Sequence, residues 1–205
     1  MDNRALLSIA LIGTATAFAG AGTYALFTDT GESSDNIFTA STLDLTLDGA
    51  DSVLATLGNS NWSPGDTAQG NFTIKNAGSI EDNKVDVDVA FDTALVNDLH
   101  GNSFDSNITV TSLTYGATDL LAASCWKTTP GGVAGALADT NGNGRFDLAD
   151  LESQACVDLA SSNAGTKLEL QLEFDGGAGN DDQGDVANLT IRVQLTQTGS
   201  EDITA

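Results

Sequence analysis

Apolar residues recur at every second position in Val85-Val87-Val89-Phe91, Leu168-Leu170-Leu172-Phe174 and Leu189-Ile191-Val193-Leu195. A period of two marks a strand with one face in a core and the other in water, because successive side chains leave a pleated backbone on opposite sides. The intervening positions carry Asp, Glu, Gln, Thr and Arg, as a solvated face should. Shorter stretches repeat the pattern at Leu43-Leu45-Leu47, at Phe72-Ile74, and at Ile108-Val110 followed by Leu113 and Tyr115. Turn chemistry separates them: Ser63-Pro64-Gly65-Asp66, Asn76-Ala77-Gly78 and the long loop from Asp175 to Asp185. Strands without intervening helical crossovers pair antiparallel, so the expected fold is all-β, a two-sheet sandwich of about seven or eight strands. A chain of 205 residues suits one such domain.

One stretch breaks the rhythm. Residues 117–160 hold both cysteines, a glycine-rich run and a helix-like spacing at Leu148, Leu151, Ala155 and Leu159, which reads as a calcium-loop and helix insertion on the sandwich.

The N-terminus reads as an address. Arg4 precedes the apolar stretch Ala5 to Gly22, and Thr23-Tyr24-Ala25 offers small residues where a signal peptidase inspects them. The expectation is a signal peptide over residues 1–25, cut between Ala25 and Leu26, with no membrane contact afterwards. A retained anchor is the alternative, but its glycines and threonines make it a weak span.

With 29 acidic against 7 basic residues the net charge is −22, which excludes nucleic acid and anionic lipid as simple electrostatic partners. Few lysines, many aspartates and many small residues are expected of a chain kept soluble in concentrated salt, as in an extreme halophile. The plainer alternatives are an ordinary acidic secreted protein or a disordered chain, and the repeated alternation argues against disorder.

Asp139-Thr140-Asn141-Gly142-Asn143-Gly144-Arg145-Phe146-Asp147-Leu148-Ala149-Asp150 places oxygen-bearing side chains at positions one, three, five, nine and twelve, with glycine at six. Calcium, a hard cation, wants such oxygens. The expected ligands are the side chains of Asp139, Asn141, Asn143 and Asp150, the Arg145 carbonyl, and Asp147 directly or through water. Asp at position twelve resembles dockerin loops more than signalling EF-hands. The plainer alternative is an acidic surface turn. Cys125 and Cys156 flank the loop, and in an exported chain they are expected to form a disulfide.

Asn61, Asn71, Asn107 and Asn188 each begin an Asn-x-Ser/Thr triplet, a candidate for N-glycosylation. The acidic run Asp181, Asp182 and Asp185 reads as a solvated loop, with a second cation site as the alternative. Catalytic signals are scarce. His100 is the single histidine, and no HExxH, G-x-S-x-G or P-loop pattern occurs, so the chain reads as a non-enzyme.

At the leader junction, Gly20-Ala21-Gly22-Thr23-Tyr24-Ala25-Leu26-Phe27-Thr28-Asp29 followed by Ile37-Phe38-Thr39-Ala40-Ser41-Thr42-Leu43-Asp44-Leu45 resembles the start of TasA/camelysin family proteins, substrates of SipW-type signal peptidases. Trp62-Ser63-Pro64-Gly65-Asp66 and Phe72-Thr73-Ile74-Lys75-Asn76-Ala77-Gly78-Ser79 are similar to that family's PGD turn and following strand. The resemblance implies a jelly-roll subunit, here from a halophilic archaeon, that polymerises head to tail into biofilm matrix fibres or bundling pili. Residues 26–40 would be the donor segment, seating Leu26, Phe27, Ile37 and Phe38 on the next subunit, and residues 41–205 the jelly-roll domain. The partners implied are further copies of the chain, and a signal peptidase during export. Two other readings stand beside it: a monomeric calcium-dependent binding module, and a secreted metalloprotease, which the camelysin name brings with it.

Overall fold

The computed structural model describes residues 28–32, 43–50, 62–97, 104–129, 132–179, 182 and 185–204, with only the backbone at 28–32, 96 and 97. The expected signal peptide, its cleavage site at Ala25 and Leu26, the donor residues Phe27, Ile37 and Phe38, the sequon at Asn61, and His100 lie outside the described residues.

Two five-stranded sheets face each other. The first runs in the order β1 (Thr28–Glu32), β10 (Val186–Gln197), β4 (Val85–Asn97), β8 (Ala155–Ala160) and β7 (Trp126–Lys127). The second runs β2 (Leu45–Leu47), β3 (Thr67–Asn76), β9 (Thr166–Phe174), β5 (Ile108–Tyr115) and β6 (Thr118–Asp119). Among the described residues every strand pairing is antiparallel, as the alternation and the turn-rich connections require. The strand count exceeds the expected seven or eight largely because β6 and β7 hold only two residues each, too short for a period to show.

The alternating residues line the space between the sheets. Val85, Val87, Val89 and Phe91 of β4 are buried against Leu168, Leu170, Leu172 and Phe174 of β9 in one continuous core. On β10, Val193 and Leu195 are fully buried whereas Leu189 and Ile191 are only partly covered. In β5 the buried set shifts from Ile108 and Val110 to Leu113 and Tyr115 because the register slips between Val110 and Ser112. A bulge supplies the extra residue that changes parity without turning the strand over.

The helix is shorter than its sequence spacing suggests, covering Leu148–Glu152 only. Ala155 and Leu159, which share the helical period, sit instead on β8, where Leu159 lies opposite Val87 and Cys156 opposite Val89. Residues 117–160 are therefore woven into the sandwich rather than inserted on it, giving β6 to the second sheet and β7 and β8 to the first, with the loop and helix lying between β7 and β8. Cys125 and Cys156 are joined in a disulfide with Cα atoms 4.8 Å apart. It lies beside Trp126, which packs on Phe91 with ring centroids at 6.2 Å and donates from Nε1 to the Leu120 carbonyl at 2.7 Å.

Candidate functional site

The loop Asp139–Asp150 forms around its own carboxylates. Gly142 and Gly144 take positive φ values of 73° and 83°, the left-handed geometry that glycine adopts without a Cβ penalty. Those turns aim successive N–H groups at Asp139. Its Oδ1 accepts from Gly142 at 2.7 Å and Asn143 at 3.1 Å, and its Oδ2 accepts from Gly144 at 2.7 Å. Asp147 then ends the loop and caps the helix, and Asp150 completes the capping box.

The two later carboxylates are fully buried. Asp147 Oδ2 accepts from the side-chain amides of Asn141 at 2.9 Å and Asn143 at 2.6 Å. Asp150 Oδ1 accepts from both the backbone N–H and the hydroxyl of Thr140, each at 2.7 Å. Asp139, Asn141, Asn143, Asp147 and Asp150 thus gather in one compact hydrogen-bonded network. Among the described residues no group of three or more His, Cys, Asp and Glu side chains is placed to hold a metal. An oxygen site for calcium draws equally on amide and backbone carbonyls. Here Asn141 and Asn143 present their amide nitrogens to Asp147, so a cation seated between them requires those amides to turn their oxygens inward.

The Arg145 side chain leaves this network. Its Nη1 pairs with Asp175, and its Nη2 donates to the Ser106 carbonyl at 3.1 Å and to Asn107 Oδ1 at 3.3 Å. Asp175 titrates below the usual carboxylate range, first because Gly177 N–H donates to it and then because Arg145 lies against it. The loop is thereby tied to the β9–β10 loop and to the turn before β5. Its backbone docks on β5 as well, where Val110 N–H donates to the Phe146 carbonyl at 2.8 Å.

Sequence reasoning missed Gln154. That buried side chain closes the base of the loop, accepting from Ala138 N–H at 3.0 Å and donating to the Ala138 carbonyl at 2.8 Å and the Asp150 carbonyl at 3.0 Å. No spacing rule marks a glutamine just past a helix for that task.

The sequons separate by environment. Asn71 on β3 and Asn188 on β10 are exposed. Asn107 is half-buried, with Nδ2 donating to the buried Asp182 at 2.9 Å. Asp182 thus belongs to a packed loop rather than to the freely solvated one expected from its acidic run.

At the rim of the first sheet, β1 pairs with β10 in a register running from Thr28 opposite Thr196 to Glu32 opposite Arg192. β1 lies within the segment 26–40 expected to act as a donor.

These features define a class: a disulfide-stapled, acidic, all-β sandwich with an oxygen-rich loop at one end and an N-terminal strand on the rim of one sheet. Within that class the chain belongs to the TasA/camelysin family, for the family model described as camelysin metallo-endopeptidase matches residues 4–202. It is a family of secreted or surface-associated proteins. No curated protein matches the chain. The donor set for a catalytic zinc does not fit: the sequence has one histidine, and both cysteines are consumed by the disulfide.

Proposed function

We propose that this protein is an extracellular structural subunit that polymerises by strand donation, residues 26–40 of one copy completing the first sheet of the next. The observation that carries this reading is β1 itself. It is an outermost strand held to the sandwich through β10, and the same backbone pairs form equally well with a strand from another molecule. A head-to-tail exchange that does not close generates a filament.

The rim of β10 supports the reading further. β1 covers Arg192 to Thr196, while residues 186–191 extend beyond it. There Val186 and Leu95 are exposed and Leu189 and Ile191 only partly buried. Continuing the register of Glu32 opposite Arg192 by one residue per step brings a donor's Ile37 opposite Ala187 and its Phe38 opposite Val186. Two large apolar side chains, one on each face of the sheet, would thus arrive beside described residues that are exposed or only partly buried. The loop Asp139–Asp150 would take a structural calcium, and the role is not catalytic, since one histidine cannot supply a zinc-peptidase set.

The test is electron microscopy of mature protein starting at Leu26, against a variant lacking Leu26 to Phe38. Filaments from the first and folded monomers from the second are expected. Equal filaments from both would remove strand donation. Monomers from both, with binding to a surface ligand that chelation abolishes, would favour the calcium-dependent module that the loop network also suits.

A further inference from the structure

Asn141-Gly142 and Asn143-Gly144 are the chain's two Asn-Gly pairs, and they follow one another in the oxygen-rich loop. Such a pair is chemically labile. The glycine nitrogen, with no side chain beside it, can attack the Asn Cγ and close a succinimide ring. The N–Cγ bond forms as the Cγ–Nδ2 bond breaks and Nδ2 leaves as ammonia. Water then opens the ring to aspartate or isoaspartate. For the first step the attacking nitrogen must give up its proton, and the Asn side chain must swing onto it.

Both pairs are exposed, so water reaches them for the second step. The first step is blocked. Asp139 Oδ1 holds the Gly142 N–H and Oδ2 holds the Gly144 N–H, each at 2.7 Å, so one carboxylate grips both attacking nitrogens. A hydrogen bond to the neutral amide and a negative charge beside it both oppose loss of the amide proton. The side chains are fixed as well. Asn141 Oδ1 accepts from the Asn143 N–H at 3.1 Å, and Asn143 Oδ1 from the Arg145 N–H at 3.0 Å. Both Nδ2 groups donate to Asp147 Oδ2. Nucleophile and leaving group are thus tied at each pair.

The product does not fit the same loop. Conversion replaces an amide that donates to Asp147 with a carboxylate that cannot, and sets a like charge against a buried one. Asp147 also caps the helix, so the repulsion falls on the group that ends the loop. Isoaspartate would route the main chain through the side-chain carbon and lengthen a turn in which Gly142 and Gly144 already take positive φ.

We propose that Asn141 and Asn143 are a deamidation site that Asp139 keeps shut in the folded loop and that, once converted, holds the loop open. Ammonia is lost in the step, so the change runs one way. A loop opened by heat or partial unfolding keeps a covalent record of it. The inference depends neither on filament formation nor on calcium.

The test is peptide mapping by mass spectrometry of protein held at mildly alkaline pH in chelator, beside a synthetic peptide of residues 137–152 under the same conditions. Conversion at both asparagines is expected to be about tenfold or more slower in the folded protein than in the peptide, since attack awaits a local opening. Asp139→Ala, with folding checked by a cooperative unfolding transition, should convert at nearly the peptide rate. Asp139→Asn, the milder change, keeps one acceptor oxygen. One of the two asparagines should then stay protected while the other converts, a selectivity that general loosening of the loop would not give. Equal rates in wild type and peptide, wild-type rates in folded Asp139→Ala, or equal conversion of both asparagines in Asp139→Asn would overturn the gate. For the product, the Asn141→Asp/Asn143→Asp variant should lose amide-exchange protection at Gly142 and Gly144 by about tenfold. Unchanged protection there would overturn the one-way opening.

Discussion

Asp147 and Asp150 exchange hydrogen bonds: the Asp150 N–H donates to Asp147 Oδ1 and the Asp147 N–H to Asp150 Oδ2, each at 3.2 Å. One reciprocal pair therefore starts the helix and ends the oxygen-rich loop. Asp147 carries both duties, since its other oxygen holds Asn141 and Asn143. Asp147→Ala removes the cap and leaves those amides and the Asp150 N–H without their acceptor. It should cost about 2–4 kcal/mol of stability in denaturant unfolding without calcium. A cost below about 0.5 kcal/mol would show that the network contributes little.

Calcium should stabilise the fold through the same residues. Extracellular calcium modules commonly have Kd values of about 0.1–1 mM, so about 10 mM calcium should add roughly 1.4–2.7 kcal/mol. Thermal unfolding in chelator, in calcium and in magnesium at equal ionic strength checks this, the magnesium arm accounting for screening of the −22 charge. Asp139→Ala should abolish the calcium-specific increment. Identical midpoints in calcium and magnesium would count against the site.

The disulfide spans 31 residues of sequence and encloses the whole loop. Loop-closure entropy for that span is about 3–4 kcal/mol on the chain-entropy model. The Cys125→Ala/Cys156→Ala double variant should unfold at a correspondingly lower denaturant midpoint. Cys156 lies opposite both Val89 and Trp126, so part of any larger loss would come from the core.

The sequence made the sandwich legible where one strand face was continuously apolar, as from Val85 to Phe91 and from Leu168 to Phe174. It was less legible at β5, where Val110 and Leu113 differ in parity and only pairing with β9 reveals the bulge. It misled at Ala155 and Leu159, because the helix from Leu148 and the strand after Gln154 leave apolar residues at spacings that also fit one longer helix. The tight turn of the loop was legible because glycines at Gly142 and Gly144 and an acceptor at Asp139 sit at intervals that local backbone geometry requires. The reach of Arg145 to Asp175 and the clasp of Ile203 on Asp88 join residues 30 and 115 positions apart, for which local spacing holds no signal.

Linkage at Asp88 also bears on global stability. Its folded pKa is raised to about 6 from 3.8, so the folded chain holds a proton that the unfolded chain has released between those values. Stability from this group is therefore present below about pH 4 and declines as pH rises through about 6. In Asp88→Asn the stability lost between pH 4.5 and 7 should shrink by about 1–3 kcal/mol in urea unfolding. The other carboxylates titrate in both chains, so the difference between the two profiles isolates this one. Parallel profiles would mean that Asp88 is neutralised by its surroundings without taking up a proton.

The three described sequons should not be equivalent acceptors. Glycan transfer needs a free Asn Nδ2 on an accessible face, and Asn71 and Asn188 present theirs outward from strands. Asn107 spends its Nδ2 on Asp182 and its Oδ1 on Arg145, so modification would break a bridge between two loops and strand a buried carboxylate. Glycopeptide mass spectrometry of protein from an N-glycosylating host should find glycan at Asn71 or Asn188 and none at Asn107. Arg145→Ala should expose Asn107 by removing one of its two partners, so glycan appearing there in the variant alone would tie the protection to this bridge. Full occupancy of Asn107 in the wild type would mean that transfer precedes folding of this end of the sandwich, and the variant would then show no gain.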